Sequence, residues 1–203
     1  VGRADGRARL TLPTRAKLAE AEDFLRRQAD WLEAAMARSP TPEPLKAGDP
    51  LPYRGRQLLL TPAPGPRRAP RVEDGRLLVR GGADAAPATA LAFLKSAARA
   101  ALVPAAERHA AALGRKPTRV TLRDTRSRWG SCASTGALSC SWRLIMAPPE
   151  VLDYVAAHEA AHLVEMNHSA AFWALVGRLD PDWRARRDWL RAHGASLQRV
   201  RFP

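Results

Sequence analysis

The sequence has 203 residues, 33 of them Lys or Arg against 20 Asp or Glu, giving a formal charge of +13, and 46% are hydrophobic. That size supports one well-buried core with a small accessory domain, and the composition is that of a folded chain. No apolar run approaches the roughly 20 residues of a membrane span, and the first thirty residues carry no basic–apolar–small export pattern. The chain opens on Val1, which leaves room for residues upstream. Only four of the basic residues are lysine (Lys17, Lys46, Lys95, Lys116), and the arginines are scattered except at Arg67-Arg68-Arg71 and Arg184-Arg186-Arg187. Such a surface is expected to give non-specific nucleic-acid contact and no reading of sequence.

Taken in chain order, "RARLTLP" (7–13) alternates like a short strand, and Thr14 is placed to cap a helix over 15–38 with Leu18, Leu25, Leu32 and Met36 on one stripe. The proline-rich "SPTPEPLKAGDPLP" (39–52) is expected to be irregular. Strands follow at 56–61 and 76–80, the second entered through Asp74-Gly75. A helix over 88–113 ends at Gly114 and should kink at Pro104. Strands at 118–124 and 138–145 come next, with a hairpin between them turning at Ser134-Thr135-Gly136. Cys132 and Cys140 flank that turn as diagonal neighbours, a poor geometry for a bridge. Both read as free thiols, which with the missing export pattern points to the cytoplasm.

Pro148-Pro149 then starts a helix through "EVLDYVAAHEAAHLVEM". Ser169 caps another, and a third runs from Asp180 as N-cap to Gly194. The reading divides the chain into a β-rich N-terminal module with one helix (1–86), a linking helix (87–117) and a C-terminal α+β domain (118–203). No membrane partner is expected.

Three of the five histidines, His158, His162 and His168, fall within eleven residues. His158 and His162 are four apart on the expected helix, so both imidazoles leave one face and can share a cation. Glu159, turned by about a third of a revolution, can reach a metal-bound water without ligating the metal. In that H-E-x-x-H division of labour zinc acidifies the water and the glutamate takes its proton. The third ligand has rivals. Asp180 and Asp182 sit at an expected helix start, where capping accounts for them. Glu165 lies about 4.5 Å beyond His162 along the axis, which suits a hydrogen bond to a ligand imidazole better than ligation. His168 can reach the metal if the helix ends at Met166–Asn167, with Asn167 left-handed, so His168 is the expected ligand. The spacing of His158 and His168 is that of metzincins, but their glycine is replaced by Glu165 and no methionine follows Met166.

Other residues carry plainer expectations. A structural Cys₂His₂ site through Cys132 and Cys140 would leave Glu159 without a role. Tyr154, Trp129, Trp142, Phe172, Trp173 and Trp183 are expected in the core. His109 and His193 are expected at helix C-termini in solvated dipole contacts. Arg126, Arg128 and Arg143 are candidates for substrate binding or for flanking the sheet.

The words "RDTRSRWGSC" (123–132), "SWRLIMAPPEVLDYV" (141–155), "HEAAHLVEMNHSAAFW" (158–173) and "DPDW" (180–183) resemble the YgjP-like metallopeptidases, relatives of the SprT-type proteases. The resemblance is continuous over roughly 118–197 and departs from the family at Ala160 and at Cys140-Ser141. It implies a zincin-like α+β domain of antiparallel strands, an H-E-x-x-H helix and C-terminal helices. It also implies one zinc, His158, His162 and His168 as ligands, and Glu159 as catalytic base. The expected activity is zinc-dependent peptide-bond hydrolysis of a peptide or protein substrate. Nucleotide pyrophosphohydrolysis, and a basic nucleic-acid-associated module with a DNA-linked protease role, are the alternatives.

Overall fold

The computed structural model describes residues 10–13, 15–37, 43–63, 69–125 and 127–203. They belong to two compact units, Val1–Glu43 and Pro44–Pro203. The first unit holds α1 (Leu18–Arg27) and α2 (Ala29–Ala37). The single helix expected over 15–38 is broken at Gln28, whose N–H is shared between the carbonyls of Phe24 and Leu25. Residues 10–13 form no strand, and the proposed cap Thr14 lies outside the described residues.

The second unit opens with a four-stranded sheet of β1 (Pro50–Tyr53), β2 (Arg56–Ala63), β3 (Arg71–Glu73) and β4 (Arg76–Arg80), in the order β1-β2-β4-β3. β2 and β4 are parallel, and the two outer pairs are antiparallel. β1 falls in the stretch expected to be irregular. It is an edge strand, where a proline removes no bond that the ladder needs. β3 was not foreseen because three exposed residues carry no apolar alternation.

The long α3 (Ala86–Ala112) then runs as one helix through Pro104 and stops at Gly114, whose φ of +67° suits glycine. A three-stranded sheet follows, ordered β5 (Arg119–Arg123), β7 (Ala137–Ser141), β6 (Gly130–Cys132). The expected antiparallel pairing holds for β6 with β7, whereas β5 runs parallel to β7. β7 stops at Ser141, short of the expected 145, because Ser141 Oγ accepts from the Arg143 N–H and starts a 3₁₀ segment over Trp142–Met146. Buried Arg143 holds that segment, reaching Asp124 and the carbonyls of Leu197 and Val200.

Three helices complete the unit: α4 (Pro149–Ala161), α5 (Ala170–Leu179) and α6 (Trp183–Arg199). The N-cap position of α6 is Asp182, whose side chain makes no capping bond. Asp180, two residues earlier, is buried, bonded to Arg186, and accepts the Asp182 N–H at 3.1 Å. Gly194 lies inside α6 and does not end it. Trp129 packs so closely there that a Cβ would come within 2.8 Å of the indole, so the residue is chosen for space.

One core joins these elements. Leu51, Leu60, Leu77 and Val79 of the larger sheet meet Leu94 and Leu102 of α3, Leu144 and Met146 of the 3₁₀ segment, and Phe172 and Val176 of α5. α3 and α4 approach through small side chains, Ala105 and Ala106 against Ala156. Their polar link is Asp153, bonded to Arg108 and to buried His109 at 2.9 Å. His109 is therefore a core residue and not the solvated terminal histidine expected. His193 is exposed but mid-helix, with Nδ1 3.0 Å from the Trp189 carbonyl.

The approach to α4 is set by the β1–β2 turn. Arg54 and Gly55 both have positive φ, and their N–H groups donate to the carbonyls of Ile145 and Met146 at 2.8 and 3.2 Å. Gly55→Ala would suffer twice, from φ +77° and from a Cβ 3.1 Å from Pro148. Left-handed backbone alone costs a non-glycine residue about 1–2 kcal/mol. Urea denaturation should show Gly55→Ala destabilised more than Gly75→Ala, which shares the backbone strain but meets nothing within 4 Å.

Asp153 gives a pH prediction. Burial pushes its carboxyl up, but the hydrogen bonds and charges of His109 and Arg108 outweigh burial and hold it below the ordinary carboxylate value. A depressed carboxylate contributes stability above its unfolded pKa and loses it as pH falls through the folded one. Asp153→Asn should therefore be less stable at neutral pH, and the difference from the parent should shrink below about pH 4. Urea midpoints measured from pH 7 to pH 3 check this.

Candidate metal centre

α4 meets three different neighbours on three faces. Ala156 faces α3, Glu159 faces the small sheet, and His158 faces α5 and Tyr154. Glu159 and His162 are buried although both are polar. Alanines at 156, 157, 160 and 161 are fully buried, so the helix can sit this deep while its functional side chains point to one end.

The helix ends at Ala161, with His162 as C-cap, and not at Met166–Asn167 as the sequence suggests. The chain tightens after it, with Leu163 and Val164 donating to the carbonyls three residues back. The Glu165 carbonyl then folds towards His162 Nδ1 at 3.0 Å. A carbonyl only accepts, so Nδ1 carries the proton and Nε2 presents its lone pair. Glu165 thus acts through its backbone, not through the carboxylate bond to an imidazole that its spacing suggests. Its carboxylate instead accepts from the Asn167 N–H at 3.4 Å. Asn167 is not left-handed. Ser169 Oγ caps α5 by accepting from the Phe172 N–H, as expected.

This turn returns His168 to the other two histidines. Among the described residues, His158, His162 and His168 form the group able to hold a metal ion, each offering one nitrogen, all within 4.8 Å of one another. Nε2 of His158 and Nε2 of His168 are 3.1 Å apart. Two ligand nitrogens about 2.0–2.1 Å from one tetrahedral zinc would stand about 3.4 Å apart, so the spacing and the all-imidazole donor set fit such an ion. Phe172 stacks on His162 at 4.4 Å and closes the apolar side. Burial, followed by the neighbouring histidines and Arg187, pushes His158 down to about 3. Burial likewise lowers His162, with His168 adding to it and the Glu165 carbonyl opposing. Both imidazoles are neutral at physiological pH, the form that binds metal.

Glu159 lies beneath the small sheet. Burial raises its carboxyl to about 8, against the pull of Arg128. Nearby cysteines take no part in the cluster. Cys140 is pushed up to about 12 by burial and then by Glu159, and Cys132 is raised by the same causes in the same order. Both are free thiols. Tyr154 is in the core, with burial raising its hydroxyl to about 12. Arg143 is a buried clamp, Arg128 is exposed on the loop before β6, and Arg126 lies outside the described residues.

Gly130 escaped the sequence reading. A Cβ on it would stand 2.3 Å from Glu159 Oε1, so the β6 backbone is the surface against which the carboxylate rests. A glycine inside a strand is the available signal for such a close approach. β6 is also an edge of its sheet, whereas β7 is the central strand.

An α+β domain with an imidazole cluster at the end of its central helix, and a buried carboxylate beside it, defines the class: a metallopeptidase domain. The chain belongs to the YgjP-like family, whose metallopeptidase-domain model matches residues 2–193. Among solved structures it is similar to the metallopeptidase zymogen of Pyrococcus abyssi abylysin, at 24% identity and a TM-score of 0.41, over 49% of this chain and 98% of that one. No curated protein matches the sequence. No helix of the described residues is long and apolar enough to cross a membrane.

Gly130→Ala should therefore displace Glu159 or lift β6. Overpacking of this kind costs about 1–3 kcal/mol, read as a lower urea midpoint. Hydrolysis should fall while the metal content of the purified protein stays at the parent level, since no histidine is touched.

Proposed function

We propose that this chain is a zinc-dependent peptidase in which His158, His162 and His168 hold the metal and Glu159 is the general base. The observation that carries the reading is the convergence of three imidazole nitrogens within 4.8 Å beside a buried carboxylate. Zinc, when bound, supplies a Lewis acid that polarises a carbonyl and makes water acidic enough to deprotonate near neutrality. An all-nitrogen donor set favours zinc over magnesium, and so favours amide hydrolysis over phosphoanhydride hydrolysis.

The chain's own residues divide the rest of the work. Glu159 makes no hydrogen bond to the described residues, and burial holds its carboxyl at about 8. The charge of a bound cation would favour the carboxylate, which can then take a proton from water and return it to the leaving amine. Gly130 keeps the carboxylate in place from above. The Glu165 carbonyl fixes the tautomer of His162. β6, an edge strand running over Glu159, suits a peptide that adds as a further strand and presents its backbone to the site.

Glu159→Gln should retain zinc and lose about 10² to 10⁴ in turnover. Casein and nucleoside triphosphates, each incubated with zinc-loaded parent and variant, make the test. Triphosphate hydrolysis without casein cleavage would overturn the peptidase reading, and loss of zinc in the variant would make Glu159 a ligand.

His168→Ala should weaken zinc affinity by more than the roughly 10- to 100-fold typical of losing an outer hydrogen bond to a ligand. Glu165→Gln should leave it near the parent value, because only the Glu165 backbone meets His162. Competition with a chromophoric chelator measures both, and the reverse order would replace His168 with Glu165.

A further inference from the structure

The arginine run 184–187 on α6 is not used by the chemistry above, and its members differ in their partners. Arg186 bonds to Asp180 and Asp182. Arg184 lies over the Trp183 ring, with Cζ 4.5 Å from the ring centroid. Arg187 lies over Trp173 at 4.9 Å and Trp183 at 5.9 Å, and no carboxylate among the described residues is within ion-pair distance of it. Trp173 is the indole beside the proposed metal ligands, 5.7 Å from the His158 ring and stacked at 5.8 Å on His168.

A guanidinium stacked on an aromatic face keeps its N–H edge available, and that edge matches a planar carboxylate with two parallel hydrogen bonds. Arg143 is the contrast within the same fold, since its donors are taken up by Asp124, Leu197 and Val200. A cation without a carboxylate partner among the described residues, next to a centre proposed to hold a second cation, would be electrostatically unfavourable until an anion arrives. We infer that Arg187 binds a carboxylate of the substrate, so that the enzyme prefers peptides with an acidic group close to the cleaved bond. The inference rests on the peptidase reading above. Two sources supply this chemistry, an acidic side chain or the α-carboxylate of a nearby chain end.

The experiment uses the zinc-loaded chain and quenched fluorogenic peptides carrying Glu, Gln or Lys at each of three positions on either side of the cleaved bond. A second set is shortened to end near that bond, as free acid or as amide. Glu should exceed Gln in kcat/KM by roughly 10- to 100-fold at one position, the range of a charge-assisted hydrogen bond. If the chain end is the source, free acid should exceed amide by the same range. Arg187→Gln should bring the ratio near one, and Arg187→Glu should invert the order to favour Lys. A purely structural arginine would slow every peptide alike and leave the ratios unmoved. Equal rates for all peptides with the parent protein would overturn the inference, and that arm needs no variant to fold. Binding of the same peptides to Glu159→Gln, read by fluorescence anisotropy, separates the two claims. Carboxylate-dependent binding without any cleavage keeps Arg187 and sinks the peptidase reading. Cleavage without preference sinks Arg187 and keeps the peptidase, and neither cleavage nor preferential binding sinks both.

Discussion

The hydrogen bond from His162 Nδ1 to the Glu165 carbonyl is the contact on which the site depends. It ends α4 with the imidazole turned, so that Nε2 faces the other histidines. It also closes the loop that carries His168 back to within 3.1 Å of His158. Had α4 continued to Met166, Glu165 would point to the metal side and His168 would be carried further along the axis. The early stop at Ala161 is thus part of the site's construction. Phe172, capped into α5 by Ser169, then packs on the returned rings.

The remainder of the larger unit holds α4 so that this turn stands at the edge of the core. Alanines on α3 and α4 allow a close helix pair, and Asp153 with His109 ties them on the far side. The β1–β2 turn donates to the 3₁₀ segment just before α4, and Arg143 fastens that segment to Asp124 and the end of the chain. Each of these contacts is remote from the histidines, yet together they fix where α4 begins. β6 is pressed onto Glu159 by its pairing to β7. The buried carboxyl, an expensive group to hold as an ion, is thereby kept against the β6 backbone.

How much of this was legible depended on whether the signal was local. His158 and His162 share a face because four residues make one helical turn, so their partnership could be read from spacing. So could the free cysteines, the Ser169 cap and the α+β class. His168 stands at a reachable separation in the sequence and does lie with the other two, but the turn that brings it there differs from the expected one. The chain turns at His162 through a backbone carbonyl, not at Asn167 through a left-handed residue, and backbone partners leave no trace in residue type. Gly130 and Gly194 were illegible for another reason. Both are glycines because a distant side chain occupies the space of a Cβ, Glu159 in one case and Trp129 in the other. Parallel pairing of β5 with β7, and the pairing of short β1 and β3, likewise depend on contacts far apart in sequence. The helix start expected at Asp180 lies two residues later, although Asp180 still accepts the Asp182 N–H beside its bond to Arg186.

X-ray absorption at the zinc edge of the zinc-loaded protein tests the central arrangement most directly, because it counts donor atoms without relying on activity. The expected shell is three imidazole nitrogens and one oxygen at about 2.0–2.1 Å, with the outer scattering of three rings. A sulfur at about 2.3 Å would bring Cys132 or Cys140 into the site. Either that or a shell with only two imidazoles would contradict the three-histidine centre.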